Sequence, residues 1–151
     1  MIPANRIVSI TLCQAAALMM AGLLWGVILP IAPHARLGLG AHIQFTGSAV
    51  MLAAAAFCIH HLKLGSGRAA QLILAGTPWL IWPMTLSEVA NAWWGTAKML
   101  PVTAAEAGVS GGTAWQEAIV SGAHIIGGTG QIAFWAVILA GAVGALRSRE
   151  S

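Results

Sequence analysis

The chain has 151 residues, 58% hydrophobic and 7% charged, with a mean hydropathy of +0.82. So few charges cannot clothe a water-soluble globule, and the composition excludes one. The net charge of +3 and pI near 9.5 come from basic residues scattered at the ends of apolar runs, which argues against a nucleic-acid surface.

Four apolar stretches follow in chain order, at 7–29, 40–62, 70–95 and 118–146. Each reaches the roughly 20 residues needed to cross about 30 Å of hydrocarbon. The runs are continuous and do not alternate, so they read as helices that satisfy their own backbone groups, not as barrel strands. The expected fold is all-α, a single transmembrane domain over 1–151 built as a four-transmembrane-helix bundle. The first run is too long for a signal-peptide core and no small-x-small cleavage site follows it, so it reads as a span. Arg6, Lys63, Arg68, Arg147 and Arg149 fall on one side, Arg36 and Lys98 on the other. That bias predicts both termini in the cytoplasm of a bacterial inner membrane. Four short helices enclose little space, so a sizeable cofactor is expected between protomers of an oligomer.

The first helix carries Gly22 and Gly26 in a G-x-x-x-G spacing, which favours close helix approach. Pro30 and Pro33 stiffen the first loop. The second helix is smooth around Ala53–Ala56, and Gly65-Ser66-Gly67 marks the turn to the third. Pro78 and Pro83 predict a kink or irregular start in the third helix. Trp93 and Trp94 read as interfacial anchors; Trp79 and Trp82 lie deeper, and Trp82 is a candidate cavity wall. The third loop, 96–117, is expected to form a partly ordered cap. The fourth helix is rich in glycine. Cys13 and Cys58 both fall in spans and read as packing residues, without metal spacing or a disulfide framework.

His42, at the mouth of the second helix, is the first candidate for chemistry, because an imidazole in lipid needs a partner. Phe45, Thr46 and Ala49 follow at helical spacing and could meet a planar cofactor. The plain alternative is a histidine bonded to a neighbouring helix. His124, in the fourth helix, is expected within roughly 6 Å of the same depth at 1.5 Å per residue. The two histidines together would make a bis-histidine electron-transfer centre. His60 and His61 read as snorkelling interface residues and His34 as solvated. Glu88 is the acid well inside a span, a functional candidate by default, and shares a helical face with Asn91. Its plain alternative is pairing with Arg36 or Lys98. Gln131 reads as an interhelical hydrogen bond. Serine-triad, cysteine–histidine and nucleotide-loop patterns are absent.

The run Pro30…Pro33-His34-Ala35-Arg36-Leu37-Gly38-Leu39-Gly40-Ala41-His42 resembles the first loop and second helix of hydroxylaminobenzene mutase. So does the patch from Lys98-Met99-Leu100-Pro101 to Trp115-Gln116-Glu117-Ala118. The Ala41-His42 pair also resembles styrene oxide isomerase, a related four-helix membrane enzyme. The resemblance implies a homotrimer with haem b between protomers, its iron bound by His42, and a redox-neutral isomerisation of small aromatic substrates. The chain departs from the epoxide isomerase pattern at Ser48, where an asparagine stands, and in having no tyrosine at all. Ser48, Glu88 and Asn91 are the expected substitutes in catalysis, with Phe45, Thr46 and Trp82 beside the cofactor. The expected reaction is arylhydroxylamine to aminophenol, with epoxide to aldehyde as the alternative and ferric haem as Lewis acid in both. The rivals are a b-type cytochrome ligated by His42 and His124, and a membrane protein without cofactor.

Overall fold

A computed structural model describes residues 3–150 other than Ser66. Ser66 of the expected turn, and the side chain of Arg149 used in the charge count, lie outside what is described. The elements are α1 (Ala4–Ile28), a 3-10 turn (Leu29–Ile31), α2 (Ala35–His61), α3 (Arg68–Trp94), a short α4 (Pro101–Glu106) and α5 (Ala114–Glu150). Among the described residues there is no strand. The chain is an all-helical membrane protein: Asn5–Ile31, Ala35–His61 and Ala114–Arg147 are long and apolar enough to cross a bilayer. The helix α3 is as long as α2, at 27 residues. It is less apolar than the other three: Gln71, Thr77, Thr85, Ser87, Glu88 and Asn91 sit in it with Pro78 and Pro83, and those six polar residues are all buried.

The polar helix is therefore the inner one, flanked by α2 and α5, while α1 packs mainly along α2. Leu18, Phe45, Leu52, Leu74, Ile81 and Phe134 form the apolar core between these helices. Outward, α5 shows Ile125, Ile126, Ile132 and Leu139, each more than half exposed. That surface suits hydrocarbon and would aggregate in water.

The second helix begins five residues before its apolar run. Gly38 and Gly40 look like helix breakers in sequence but serve as contact points. A Cβ on Gly38 would stand 2.6 Å from Leu29 Cδ1 and 3.2 Å from both Ala92 Cβ and the Trp25 ring. The Trp25 indole N–H donates to the Gly38 carbonyl at 2.7 Å, which locks α1 to this first turn. The helix α3 runs unbroken past Pro78 and Pro83 and stops at Gly95, which takes the left-handed conformation (φ 64, ψ 38) of a C-terminal cap.

The third loop is ordered from its polar residues. Pro101 opens α4, at a position where its missing N–H costs nothing. The Glu117 carboxylate accepts the backbone N–H groups of Ala97 (2.9 Å), Lys98 (2.9 Å) and Gly112 (3.0 Å). Arg36 bonds Glu106 through Nε (2.9 Å) and Nη2 (2.6 Å), tying α4 to the start of α2. This pair is half exposed and contributes little stability, but it removes Arg36 as a partner for Glu88.

Candidate functional site

His42 sits where glycines of α1 let α2 come close. Its ring packs on Gly26: a Cβ there would meet Nδ1 at 2.9 Å and Cε1 at 3.0 Å. Gly22 makes the same room for Phe45 Cβ and Thr46 Cγ2, each 2.9 Å from a would-be Cβ. The G-x-x-x-G pair thus lets an imidazole into the helix seam. His42 Nδ1 lies 2.9 Å from the Gly22 carbonyl oxygen. A carbonyl only accepts, so Nδ1 carries the proton and Nε2 keeps its lone pair. Among the described residues the His42 ring makes its hydrogen bond through Nδ1 and none through Nε2.

Thr46, one turn on, donates to the His42 carbonyl at 2.9 Å, so its hydroxyl is occupied by the backbone. Ala49 and Ala53 follow at i+7 and i+11 from His42, on the same stripe of the helix. With Leu12, Ala15, Ala16, Met19 and Val50 they line an open groove of about 360 Å³ between α1 and α2. It continues the seam in which His42 stands and is walled largely by alanine.

A flat macrocycle can be tested against these residues. The donor set fits haem: one imidazole, held by a backbone carbonyl on Nδ1, with Nε2 available, beside a smooth apolar strip. The groove covers one side only, so a second surface has to close it.

The other expected site residues lie elsewhere. Phe45 is 2% exposed and packs edge-on against Trp82, ring centroids 6.3 Å apart at 66°. The Trp82 indole N–H donates to Gln14 Oε1. Trp82 also borders a groove of about 470 Å³ with Cys13, Gln14, Ala17 and Trp79, between α1 and α3. Phe45 is therefore a core side chain and not part of an open cofactor face. Ser48 is buried too, at 4% exposure, six residues from His42 and so on another face of α2.

Glu88 is separated from His42 by the thickness of α2. Its Oε2 lies 3.4 Å from where a Cβ on Gly40 would stand. Gly40 precedes His42 by two residues, about 200° around the helix. Within one chain Glu88, Asn91 and Ser48 do not share a face with His42, which corrects the expectation of a single site. The reason is helical phase.

Glu88 instead meets His124, with Oε1 2.8 Å from Nε2 and side-chain exposures of 2% and 11%. His124 Nδ1 lies 2.8 Å from the Val120 carbonyl, so Nδ1 also carries a proton. Two lone pairs would repel at 2.8 Å, so one further proton lies between imidazole and carboxyl. The contact is close, yet neither Glu88 oxygen receives a well-directed hydrogen bond from the protein. The pair is neutral overall whichever partner holds that proton, which is the form a bilayer tolerates. Both His124 nitrogens are engaged, and the structure does not bring His42 and His124 together within a chain.

Asn91 closes the end of α3. Its Oδ1 accepts from Thr96 N (2.8 Å) and Thr96 Oγ1 (2.6 Å). That fixes the amide orientation and leaves Nδ2 buried without an acceptor, as Ser121 Oγ is without a partner. Ser121 lies one turn before His124 and escaped the sequence reading. So did the Glu88–His124 contact, although one signal pointed to it: an acid and an imidazole at similar depth from the same ends of adjacent apolar runs.

The sequence matches the family described as styrene oxide isomerase over residues 8–143, nearly the whole chain. No curated protein and no solved structure matches it.

Proposed function

The chain belongs to the styrene oxide isomerase family, and from that premise we propose that it is a membrane-embedded isomerase converting small aryl epoxides to carbonyl compounds, with haem b held by His42 between copies of the chain. The family match favours the epoxide over the arylhydroxylamine substrate that the loop pattern first suggested. The observation that carries the cofactor assignment is the His42 geometry: Nδ1 tied to the Gly22 carbonyl, Nε2 left with its lone pair.

Ferric haem, when bound, supplies a Lewis acid for the substrate oxygen. The chain's own residues do the rest. Gly22 and Gly26 seat the imidazole and fix its tautomer. The alanine-walled groove presents apolar side chains and no side-chain nucleophile, and an apolar wall disfavours water, so a ring-opened epoxide is protected from capture as a diol. Substrate reaches such a site from the lipid, where aryl epoxides partition. Glu88 and Asn91 act within the helix bundle, as a neutral interhelical contact and a helix cap, and not at the reacting atoms. Because the groove covers one side only, the proposal includes an oligomer, with the trimer implied by the resemblance as its form. It also includes α3 as a fourth span, with both termini cytoplasmic.

Detergent-purified protein given styrene oxide, without redox reagent, is expected to yield an aldehyde of the same mass and no diol. Phenylhydroxylamine is expected to turn over at least about tenfold more slowly, since a preference of roughly 1.4 kcal/mol between transition states gives that ratio. Faster conversion of phenylhydroxylamine to aminophenol would return the assignment to the mutase. Turnover of neither would remove this substrate class.

A further inference from the structure

The end of the molecule that carries the start of α1 and the α2–α3 turn holds a groove of about 400 Å³, lined by Asn5, Val8, Ile59, His60 and Lys63. Val8 makes an apolar floor, with the fully buried Ile59 beneath it. An amide, an imidazole and an ammonium make the rim.

Lys63 stands there on an uncommon backbone. The helix α2 closes with Leu64 N–H bonded to the Ile59 carbonyl (3.1 Å) and Lys63 N–H to the His60 carbonyl (3.3 Å). This is a Schellman ending, whose left-handed residue is usually glycine. Here it is Lys63, at φ 51, alone among the described non-glycine residues in having positive φ. Glycine would take that conformation at lower cost. A lysine where glycine would cost less backbone strain points to a use for its ammonium.

The charge pattern says what that use is. Glu88 is paired with His124 and Glu106 with Arg36, and Glu117 holds the third loop. Among the described side chains no carboxylate partners Lys63. Arg6 and Arg68, both exposed, add positive charge at the same end. This end terminates membrane-spanning helices, so the groove lies where phospholipid headgroups lie. We infer that it binds an anionic phospholipid. Lys63, the His60 ring N–H and the Asn5 amide donate to the phosphate oxygens, while Val8 meets the glycerol and the first acyl carbons. A free phosphate finds the same donors but nothing for the apolar floor, and it leaves headgroup water to do so.

The test titrates the detergent-purified full-length protein with dioleoyl phosphatidylglycerol, dioleoyl phosphatidylcholine and inorganic phosphate, reading bound lipid by native mass spectrometry. Phosphatidylglycerol is expected to bind at least about fivefold tighter than phosphatidylcholine, on the scale of one basic contact at an anionic surface. Lys63→Gly is expected to lose that preference while its melting temperature stays at or above wild type, because glycine relieves the backbone. Lys63→Gln is expected to lose the preference with the strain retained, and Lys63→Arg to keep it. Equal binding of phosphatidylglycerol by wild type and both neutral variants would overturn the inference. So would competition by millimolar phosphate, which would mark a soluble-anion site, or loss of stability in Lys63→Gly, which would make the lysine structural.

Discussion

Glu88→Ala is expected to destabilise the protein by about 3–5 kcal/mol, the scale for removing one partner from a buried pair. The lower end applies if His124 sheds its proton and stays neutral, the upper if it stays charged in the bundle. The effect is large because the Glu88–His124 contact joins α3 to α5, and α5 packs mainly against α3. Glu88→Gln keeps a polar group beside His124 Nε2 and is expected to cost about 1–2 kcal/mol. The pairing is checked by a double-mutant cycle with His124→Ala in a reversible detergent-unfolding assay. The account expects His124→Ala to cost much less in the Glu88→Ala background than in wild type. Additive losses would mean that the two side chains do not interact.

The second large effect is expected at Gly26. A Cβ there would stand 2.9 Å from His42 Nδ1 and 3.0 Å from Cε1, against a ring wedged between two helices. Either the imidazole leaves the Gly22 carbonyl or the helices separate. Gly26→Val is therefore expected to lower haem affinity by about 10–100-fold, the usual cost of disturbing a residue that orients a metal ligand. Overpacking adds about 1–3 kcal/mol of destabilisation. Gly47→Ala is the control, because a Cβ at Gly47 meets nothing within 4 Å. Haem retention by Gly26→Val equal to that of Gly47→Ala would show that the glycine cradle does not position His42.

The sequence and the structure agree most closely where one physical term dominates. The four long apolar runs are four long helices, and for α1, α2 and α5, which are apolar enough to cross a bilayer, hydrocarbon leaves the backbone no other partner than itself. Gly22 and Gly26 were legible as a close-packing pair, and they do face α2, although their guest is an imidazole and not a smooth helix surface. The start of α2 was read late, since Gly38 and Gly40 lower local apolarity while serving as the points where Leu29, Trp25, Ala92 and Glu88 come near. The third loop hid its order in Glu117, whose three backbone partners lie at 97, 98 and 112 and form no local pattern.

The site was legible in its residue types and not in its grouping. His42, Glu88 and Asn91 stand out in sequence as polar groups within long apolar runs, and in the structure all three lie in long helices. Whether they share a cavity depends on the rotational phase of α2, and a two-residue step from Gly40 to His42 moves to the opposite face. The pairing of Glu88 with His124 also needed tertiary information, because Arg36 offered a plausible partner until Glu106 was seen to occupy it. Ser48, close to His42 in sequence, is turned to another face of α2 by the same periodicity, while Phe45, only about 60° around from His42, is taken into the core by its packing on Trp82.

His42, with Nδ1 tied to the Gly22 carbonyl, is the residue that would hold haem and so supply the Lewis acid. This role is tested most directly by the absorption spectrum of detergent-purified wild type and His42→Ala, oxidised and reduced, with and without a small aromatic amine. The account predicts a haem band in wild type that shifts on adding the amine, and loss of that band together with isomerase activity in His42→Ala. Full haem content and full activity in His42→Ala, or a colourless and well-folded wild type that still isomerises styrene oxide, would contradict it.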